Sequence, residues 1–489
     1  MENPKLKKLL EEWLEEATIS KMQEKLQSSE ITSKELVLLY LHRISILDKQ
    51  INSVLEINPD ALQIAEALDT ERKEKGPRSR LHGIPILIKD NIDTHDKMHT
   101  SAGSLALKDS IAEKDSFVAE QLRQAGAVIL GKTNMTEWAN FMAIGMKSGY
   151  SSRGGQVLNP YGPGKFDVGG SSSGSGAAIA ANFAAAAVGT ETSGSILNPS
   201  SQNSLVGIKP TVGLISRRGI IPIAHTQDTA GPMARTVEDA AILLTALTGR
   251  DEHDPVTQTN PINNTDFTKF LFKDGLNGKR IGFAVEGFIE LLSEDKQKVV
   301  SEALETMKAL GAEIIDNIVI PSAKAEWKYD VLTYEFKPDL NAYLNGLHPS
   351  IKVRSLKDLI DFNNQDEEKM LKYGQAVLIQ SEETSGSLTE NEYIEALEFD
   401  LFHSTQQGID YALETYNLDA IVFPHEEGSH ISAKAGYPSI AVPAGYATDG
   451  EPVGITFSGT AYSEPQLIQL AYAFEQLTQF RKPAVLGKE

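Results

Sequence analysis

Between Gly169 and Ser195 the chain is built almost entirely of small residues. It runs Gly169-Gly170-Ser171-Ser172-Ser173-Gly174-Ser175-Gly176, then an alanine-rich segment Ala177 to Ala187, then Gly189-Thr190-Glu191-Thr192-Ser193-Gly194-Ser195. Side chains this small let neighbouring backbones approach closely, which places the stretch at the centre of a folded molecule rather than at its surface. Ala177 to Ala187 has good helix propensity. The flanking stretches are turns that carry serines. A turn such as Thr192-Ser193-Gly194-Ser195 can aim several amide N–H groups at one point, as a developing oxyanion requires.

A second feature stands about 80 residues earlier. Gly83-Ile84-Pro85-Ile86-Leu87-Ile88 is a short β-branched run of the kind found in buried strands, and it ends on Lys89-Asp90-Asn91. Lysine serves as a base only when neutral, and burial in apolar surroundings lowers its pKa from about 10.4 at a cost of roughly 1.4 kcal/mol per unit. A lysine, a bridging serine and a nucleophilic serine together make an acyl-transfer engine that needs neither histidine nor metal. The chain contains no cysteine, which removes disulfides, thiolate nucleophiles and Cys-ligated zinc in one step. The chemistry pointed to is hydrolysis of a carboxylic amide.

The remaining composition bounds the partners. Lys plus Arg number 46 against 67 Asp plus Glu, a net charge of −21 over 489 residues, which argues against non-specific nucleic-acid binding and against docking on anionic membranes. Leu6, Leu9, Leu10, Trp13 and Leu14 recur at helical spacing opposite Lys and Glu, so the first 16 residues read as an amphipathic surface helix and not as an export signal. No run is long enough to span a bilayer, and a cytoplasmic location is the expectation. No cofactor is implied.

The pattern predicts an α/β fold: a mixed, mainly parallel central sheet covered by helices on both faces, with an inserted helical cap. Residues 1–75 read as helices, with Thr32 and Glu35 as a capping box. Residues 76–320 carry the core. A helix over Phe117 to Gln124, stopped by Gly126, leads to a strand over Ala127 to Leu130. Ile281 to Val285 and Ile314 to Val319 flank a helix as a βαβ unit would. Residues 325–410 are more polar and helical, and read as a cap inserted into a single domain. Strand signals return at 415–489, over Ala420 to Phe423, Ser439 to Val442 and Val453 to Phe457, before a last helix over Glu464 to Leu477.

With these residues laid out, the chain resembles the amidase signature family. The block from Gly169 to Ala178, the block from Gly189 to Ile196, Gly207-Ile208-Lys209-Pro210-Thr211-Val212-Gly213 and Asp228-Thr229-Ala230-Gly231-Pro232-Met233 carry the resemblance. It runs over roughly residues 20–320 and returns weakly after 415. Glu137-Trp138-Ala139-Asn140-Phe141 and Ser152-Arg153-Gly154-Gly155-Gln156 are similar to the wording of bacterial peptide amidases. The resemblance implies Ser195 as the nucleophile that is acylated, Ser171 as the bridging serine behind a cis peptide from Gly170, and Lys89 as the base. It implies the amides of Thr192, Ser193, Gly194 and Ser195 as the oxyanion hole. It also places Ser148, Gly149 and Tyr150 at the acyl pocket. One departure bears on substrate: many relatives acting on charged substrates carry arginine two residues after the nucleophile, and Leu197 stands there. Neutral or apolar acyl groups, including peptide amides, are therefore favoured.

Rival patterns are present by the letter. Gly126 to Thr133 satisfies a Walker A spacing around Lys132, but a helix precedes it and its interior reads as a buried strand. Gly170-Ser171-Ser172-Ser173-Gly174 satisfies a nucleophile elbow centred on Ser172, which would need an acid and a histidine downstream. His425 and His430 flank Gly428 at a spacing that misses the zinc motif by one residue, and His225 is isolated. Within the family, the alternative is the glutaminase subunit of a tRNA-dependent amidotransferase, which would work with a partner subunit.

Overall fold

The computed structural model describes residues 2–487. Its frame is an eleven-stranded sheet: β1 (Val54–Ile57), β2 (Pro85–Lys89), β3 (Val128–Thr133), β6 (Ala186–Glu191), β7 (Val206–Lys209), β8 (Thr229–Ala234), β9 (Arg280–Ala284), β10 (Glu313–Ile318), β11 (Ala420–Pro424), β12 (Ser439–Tyr446) and β13 (Pro452–Ser458). A two-stranded ribbon, β4 (Tyr150–Ser151) with β5 (Gly155–Gln156), stands apart from it. Across the large sheet the order is β1-β3-β2-β6-β8-β7-β12-β13-β11-β9-β10.

Every residue of β2, β3, β6, β7, β8, β11 and β13 is buried, so both faces of the sheet are covered, as an α/β fold requires. The sheet is mixed, but its balance corrects the expectation of mainly parallel strands. The pairs β2–β3, β2–β6, β9–β11 and β9–β10 are parallel, and the other six are antiparallel. The reason lies in the connections. The five-residue link from β12 to β13 is too short for a crossover and folds back as a hairpin.

Several elements match the pattern closely. The helix Phe117–Gln124 has its predicted ends, Thr32 and Glu35 form both bonds of a capping box on the helix Ser33–Leu47, and β9, the helix Glu294–Ala309 and β10 make the parallel βαβ unit. Two readings need correction. The N-terminal 75 residues include β1, which pairs antiparallel with the edge of β3. The alanine-rich segment is not one helix. The helix Ser173–Ala180 stops, Asn182 takes a left-handed φ of 60°, and Ala186 onwards is strand. Alanine packs anywhere, so the demand for a strand between β2 and β8 overrides its helix propensity.

A second hydrophobic cluster joins Val331, Leu332 and Phe336 of the helix Asp330–Asn345 to Met135, Trp138 and Phe141. Helices between 330 and 404 are thereby packed onto the loop that leaves β3, while the helix Ile409–Thr415 packs with β9, β10 and β11. No described helix is long and apolar enough to cross a membrane.

Candidate active site

Parallel pairing of β2 with β6 aligns Ile88 with Val188 and so brings the ends of the two strands together. Lys89 closes β2 and has no exposed surface. Its Nζ donates to Ser171 Oγ at 2.8 Å, to Thr190 Oγ1 at 2.9 Å and to Thr190 O at 3.3 Å. Burial strips the ammonium of water and brings the pKa down to about 7, against the opposing pull of the Glu191 and Asp228 carboxyls. Asn91 Nδ2 donates to the same Thr190 hydroxyl at 3.0 Å.

Ser171 sits on the turn that opens the helix Ser173–Ala180, and the Gly170–Ser171 peptide is cis. Thr136 N–H donates to Ser171 O at 3.1 Å, and Gly170 N–H donates to Asn198 Oδ1 at 2.8 Å. A Cβ on Gly170 would stand 2.7 Å from Thr136 Oγ1, so only glycine lets this turn lie so close.

The turn after β6 is organised from within by Glu191. Its fully buried carboxyl accepts the N–H groups of Gly194 at 2.8 Å, Ile196 at 2.7 Å and Leu197 at 3.0 Å. Burial raises the pKa of this group, with Lys209 acting against the rise. Gly194 is therefore a correction to the expected oxyanion hole, because its N–H is already committed to Glu191. Among the described residues the amides of Thr192, Ser193 and Ser195 have no such partner. Thr192 Oγ1 donates to Asp228 Oδ1 at 2.5 Å, and Gln227 Nε2 donates to Thr192 O at 3.0 Å. Ser172 N–H donates to Ser195 O at 3.2 Å and ties the two serine turns together. The Ser195 hydroxyl itself makes no hydrogen bond to Ser171 among the described residues, so the Lys89–Ser171 link is formed and the Ser171–Ser195 link is not.

Ser195 opens onto a cavity of about 500 Å³ walled by Ala139, Phe141, Ile223, Leu332 and Val377. A second lobe of about 510 Å³ adjoins it across Asn140, Gly170, Ser193 and Tyr329, and is lined by Ser148, Asn198, Glu426 and Glu427. Of the three residues expected at the acyl pocket, only Ser148 lines these lobes. Gly149 and Tyr150 follow it in the chain but do not line either lobe. Gly149 is held in the left-handed region with φ 82° while its N–H donates to Thr136 Oγ1. The Tyr150 ring packs edge-on to Tyr373 at 5.3 Å, with Lys372 Nζ 4.3 Å from its centroid.

Sequence reasoning missed four contributors: Thr190, Glu191, Asp228 and Asn198. Three of them lie inside motifs already singled out, but nothing in a motif tells which side chain turns inward. The rival patterns fare differently. Lys132 is fully buried on β3 and donates to Ile92 O at 2.6 Å and Thr100 Oγ1 at 2.9 Å, leaving nothing for a phosphate. No described histidine bonds to Ser172 or Ser195. Burial holds His425 down to about 3 and His430 down to about 4, with Lys434 adding to the depression at His430. His225, Glu335 and Asp339 lie within ligand reach of one another. They are engaged locally, His225 Nδ1 with Asp339 Oδ2 at 2.9 Å and Glu335 Oε2 with the N–H and hydroxyl of Thr226.

Comparison with known proteins gives the same direction throughout. The Amidase family model matches residues 35–468. The crystal structure of a peptide amidase from Stenotrophomonas maltophilia superposes with a TM-score of 0.92 at 43% identity, over 97% of this chain and 99% of that one. A probable amidase of Arabidopsis thaliana is 43% identical over 96% of this chain and 91% of its own length. A glutamyl-tRNA(Gln) amidotransferase subunit from Thermoanaerobacter pseudethanolicus is 33% identical over 96% of this chain and 98% of its own.

Proposed function

The chain belongs to the amidase signature family and is an amidase, and from that premise we propose that it hydrolyses a neutral carboxylic amide through an ester on Ser195. The observation that carries this reading is the 2.8 Å hydrogen bond between Ser171 Oγ and a fully buried Lys89 whose pKa lies at about 7. A neutral Lys89 takes the Ser171 proton while Ser171 takes that of Ser195, and the Ser195 oxygen attacks the amide carbonyl. Forming this relay requires the Ser195 hydroxyl to reach hydrogen-bond distance of Ser171 Oγ. The oxyanion is met by the amides of Thr192, Ser193 and Ser195. The proton returns through Ser171 to the departing nitrogen, ammonia leaves, and water attacks the ester by the same route in reverse.

The acyl group lies in the apolar lobe, and C-terminally amidated peptides are the class proposed. Support comes from the apolar wall of Phe141, Ile223, Leu332 and Val377, from a buried Leu197 that offers no cation to a substrate carboxylate, and from the similarity to a peptide amidase. Residues 325–410 are read as the cap that closes this lobe. A second reading is glutamine hydrolysis in partnership with another protein. It is supported by the 33% identity to the Thermoanaerobacter pseudethanolicus amidotransferase component and opposed by Leu197.

Ammonia release from amidated peptides, aryl amides, fatty amides and glutamine separates these readings. Amidated peptides should be turned over and glutamine should not. Treatment with a fluorophosphonate followed by peptide mass spectrometry should place the adduct on Ser195. An adduct on Ser172, or none in active enzyme, rejects the mechanism.

A further inference from the structure

The Gly170–Ser171 turn is held from a part of the chain that no active-site motif includes. Gly170 N–H donates to Asn198 Oδ1 at 2.8 Å, and Asn198 Nδ2 donates to Glu426 Oε1. Glu426 follows β11 by two residues, in the segment Pro424-His425-Glu426-Glu427-Gly428. Behind it, His425 is 3% exposed and its Nδ1 accepts Gly454 N–H from β13 at 3.1 Å. That bond fixes the tautomer, so the ring proton resides on Nε2, which stands 3.1 Å from Glu426 Oε2. Hydrogen bonds thus run from Glu426 through Asn198 to the peptide that carries the relay serine, whereas His425 Nε2 and Glu426 Oε2, 3.1 Å apart, make no hydrogen bond among the described residues.

The direction of each bond matters. An asparagine amide can flip, and one orientation would turn its NH₂ towards Gly170 N–H and leave that donor facing another donor. Burial raises the Glu426 pKa to about 7, and above that pH its carboxylate only accepts, takes the Asn198 NH₂ and obliges the Asn198 oxygen to face Gly170. Neither Asn198 nor Glu426 touches Lys89, Ser171 Oγ or Ser195 Oγ. Both line the polar lobe, so a direct substrate contact by Glu426 is the competing explanation to be separated.

We propose that Asn198 and Glu426 are positioning residues that set the Gly170–Ser171 turn for proton relay, with Glu426 dictating the orientation of the Asn198 amide. The proposal rests on the reading of Ser171 as the relay between Lys89 and Ser195. It predicts that losing the acceptor slows attack by Ser195 without weakening substrate binding, because misplacing a relay group by a fraction of an ångström is felt in the rate.

The test uses the full chain with E426A, E426Q and N198A, following fluorophosphonate labelling of Ser195 alongside kcat and KM on a neutral amidated peptide. E426A and N198A should label and turn over about tenfold to a hundredfold more slowly with KM little changed. E426Q keeps an acceptor oxygen for Asn198 but can also turn its own NH₂ towards it, so it should recover only part of the E426A loss. Wild-type labelling rates in E426A, or a loss confined to KM, overturn the proposal. So does an E426Q variant no better than E426A, since charge facing the substrate would then be what counts. If E426A does not fold, N198A and E426Q carry the same comparison. Failure of wild-type enzyme to label at Ser195 instead rejects the underlying mechanism, which keeps the two failures distinct.

Discussion

Lys89 is the residue on which the rate should turn. Its ordinary value is 10.5, and burial brings it to about 7. The competent form is the neutral amine, so kcat/KM should be low at pH 5, rise through about 7 and level off above that. A profile flat between pH 5 and 9 rejects a lysine base. The same shift has a cost in stability. Between pH 7 and 10.5 the unfolded chain binds this proton and the folded one does not, so the group's contribution to stability is complete only above 10.5 and is lost as pH falls to 7. Lys89→Met should therefore be inactive yet at least as heat-resistant as wild type at pH 7, measured by the thermal midpoint. The apolar run Ile84 to Ile88 taken alone fits a strand-end lysine reaching to water as well as a buried one, and Lys89 became legible only beside the two serine turns. Glu191 did not. A single acid inside a Gly/Ser motif gives no sign that three backbone amides will converge on it, and the loss of Gly194 from the oxyanion hole is a consequence visible only in three dimensions.

Among the elements, the helix Ser173–Ala180 shows how small residues allow close approach. A Cβ on Gly174 would stand 2.2 Å from Asn134 O and 2.5 Å from Ser53 O, both backbone atoms that cannot swing aside. Gly174→Ala should destabilise the protein by about 2 kcal/mol or more, read from urea denaturation, because overpacking against rigid backbone has no easy relaxation. The small-residue composition foretold such crowding correctly. It did not foretell where helix gives way to strand, because an alanine run lacks the periodicity that distinguishes the two. β1 was missed on other grounds. Val54-Leu55-Glu56-Ile57 is four residues of only partial burial at a sheet edge, too short for an alternating pattern to register. Strand direction likewise depends on which neighbours a strand finds, and only the brevity of a link such as β12 to β13 betrays it beforehand.

At the scale of the molecule, two packed regions meet at the site. The sheet and its helices form one core, and Phe336, which has no exposed surface, anchors the second by an edge-on contact with Phe141 at 5.1 Å. Phe336→Ala should cost about 3–5 kcal/mol of stability. It should also lower kcat/KM, because Phe141 walls the cavity onto which Ser195 opens. Loss of stability with unchanged kcat/KM would mean that packing within this second cluster does not shape the cavity. The strand-and-helix alternation along the chain was enough to foresee the class of fold, whereas the division of the cavity into two lobes arises from contacts between distant segments that no local pattern encodes.

The way β2 and β6 share a ladder has a lasting consequence. Lys89, the base proposed above, its Thr190 partner and the turn leading to Ser195 issue from adjacent strands whose spacing is locked by main-chain bonds. The walls that meet the cavity are loops and helices joined largely by side-chain packing, with a few hydrogen bonds such as Val377 N–H to Met142 O at 3.1 Å. Mutational drift in those walls can retarget the enzyme to new amides while leaving the proton path untouched, so diversification and chemical competence are separable inheritances in this scaffold.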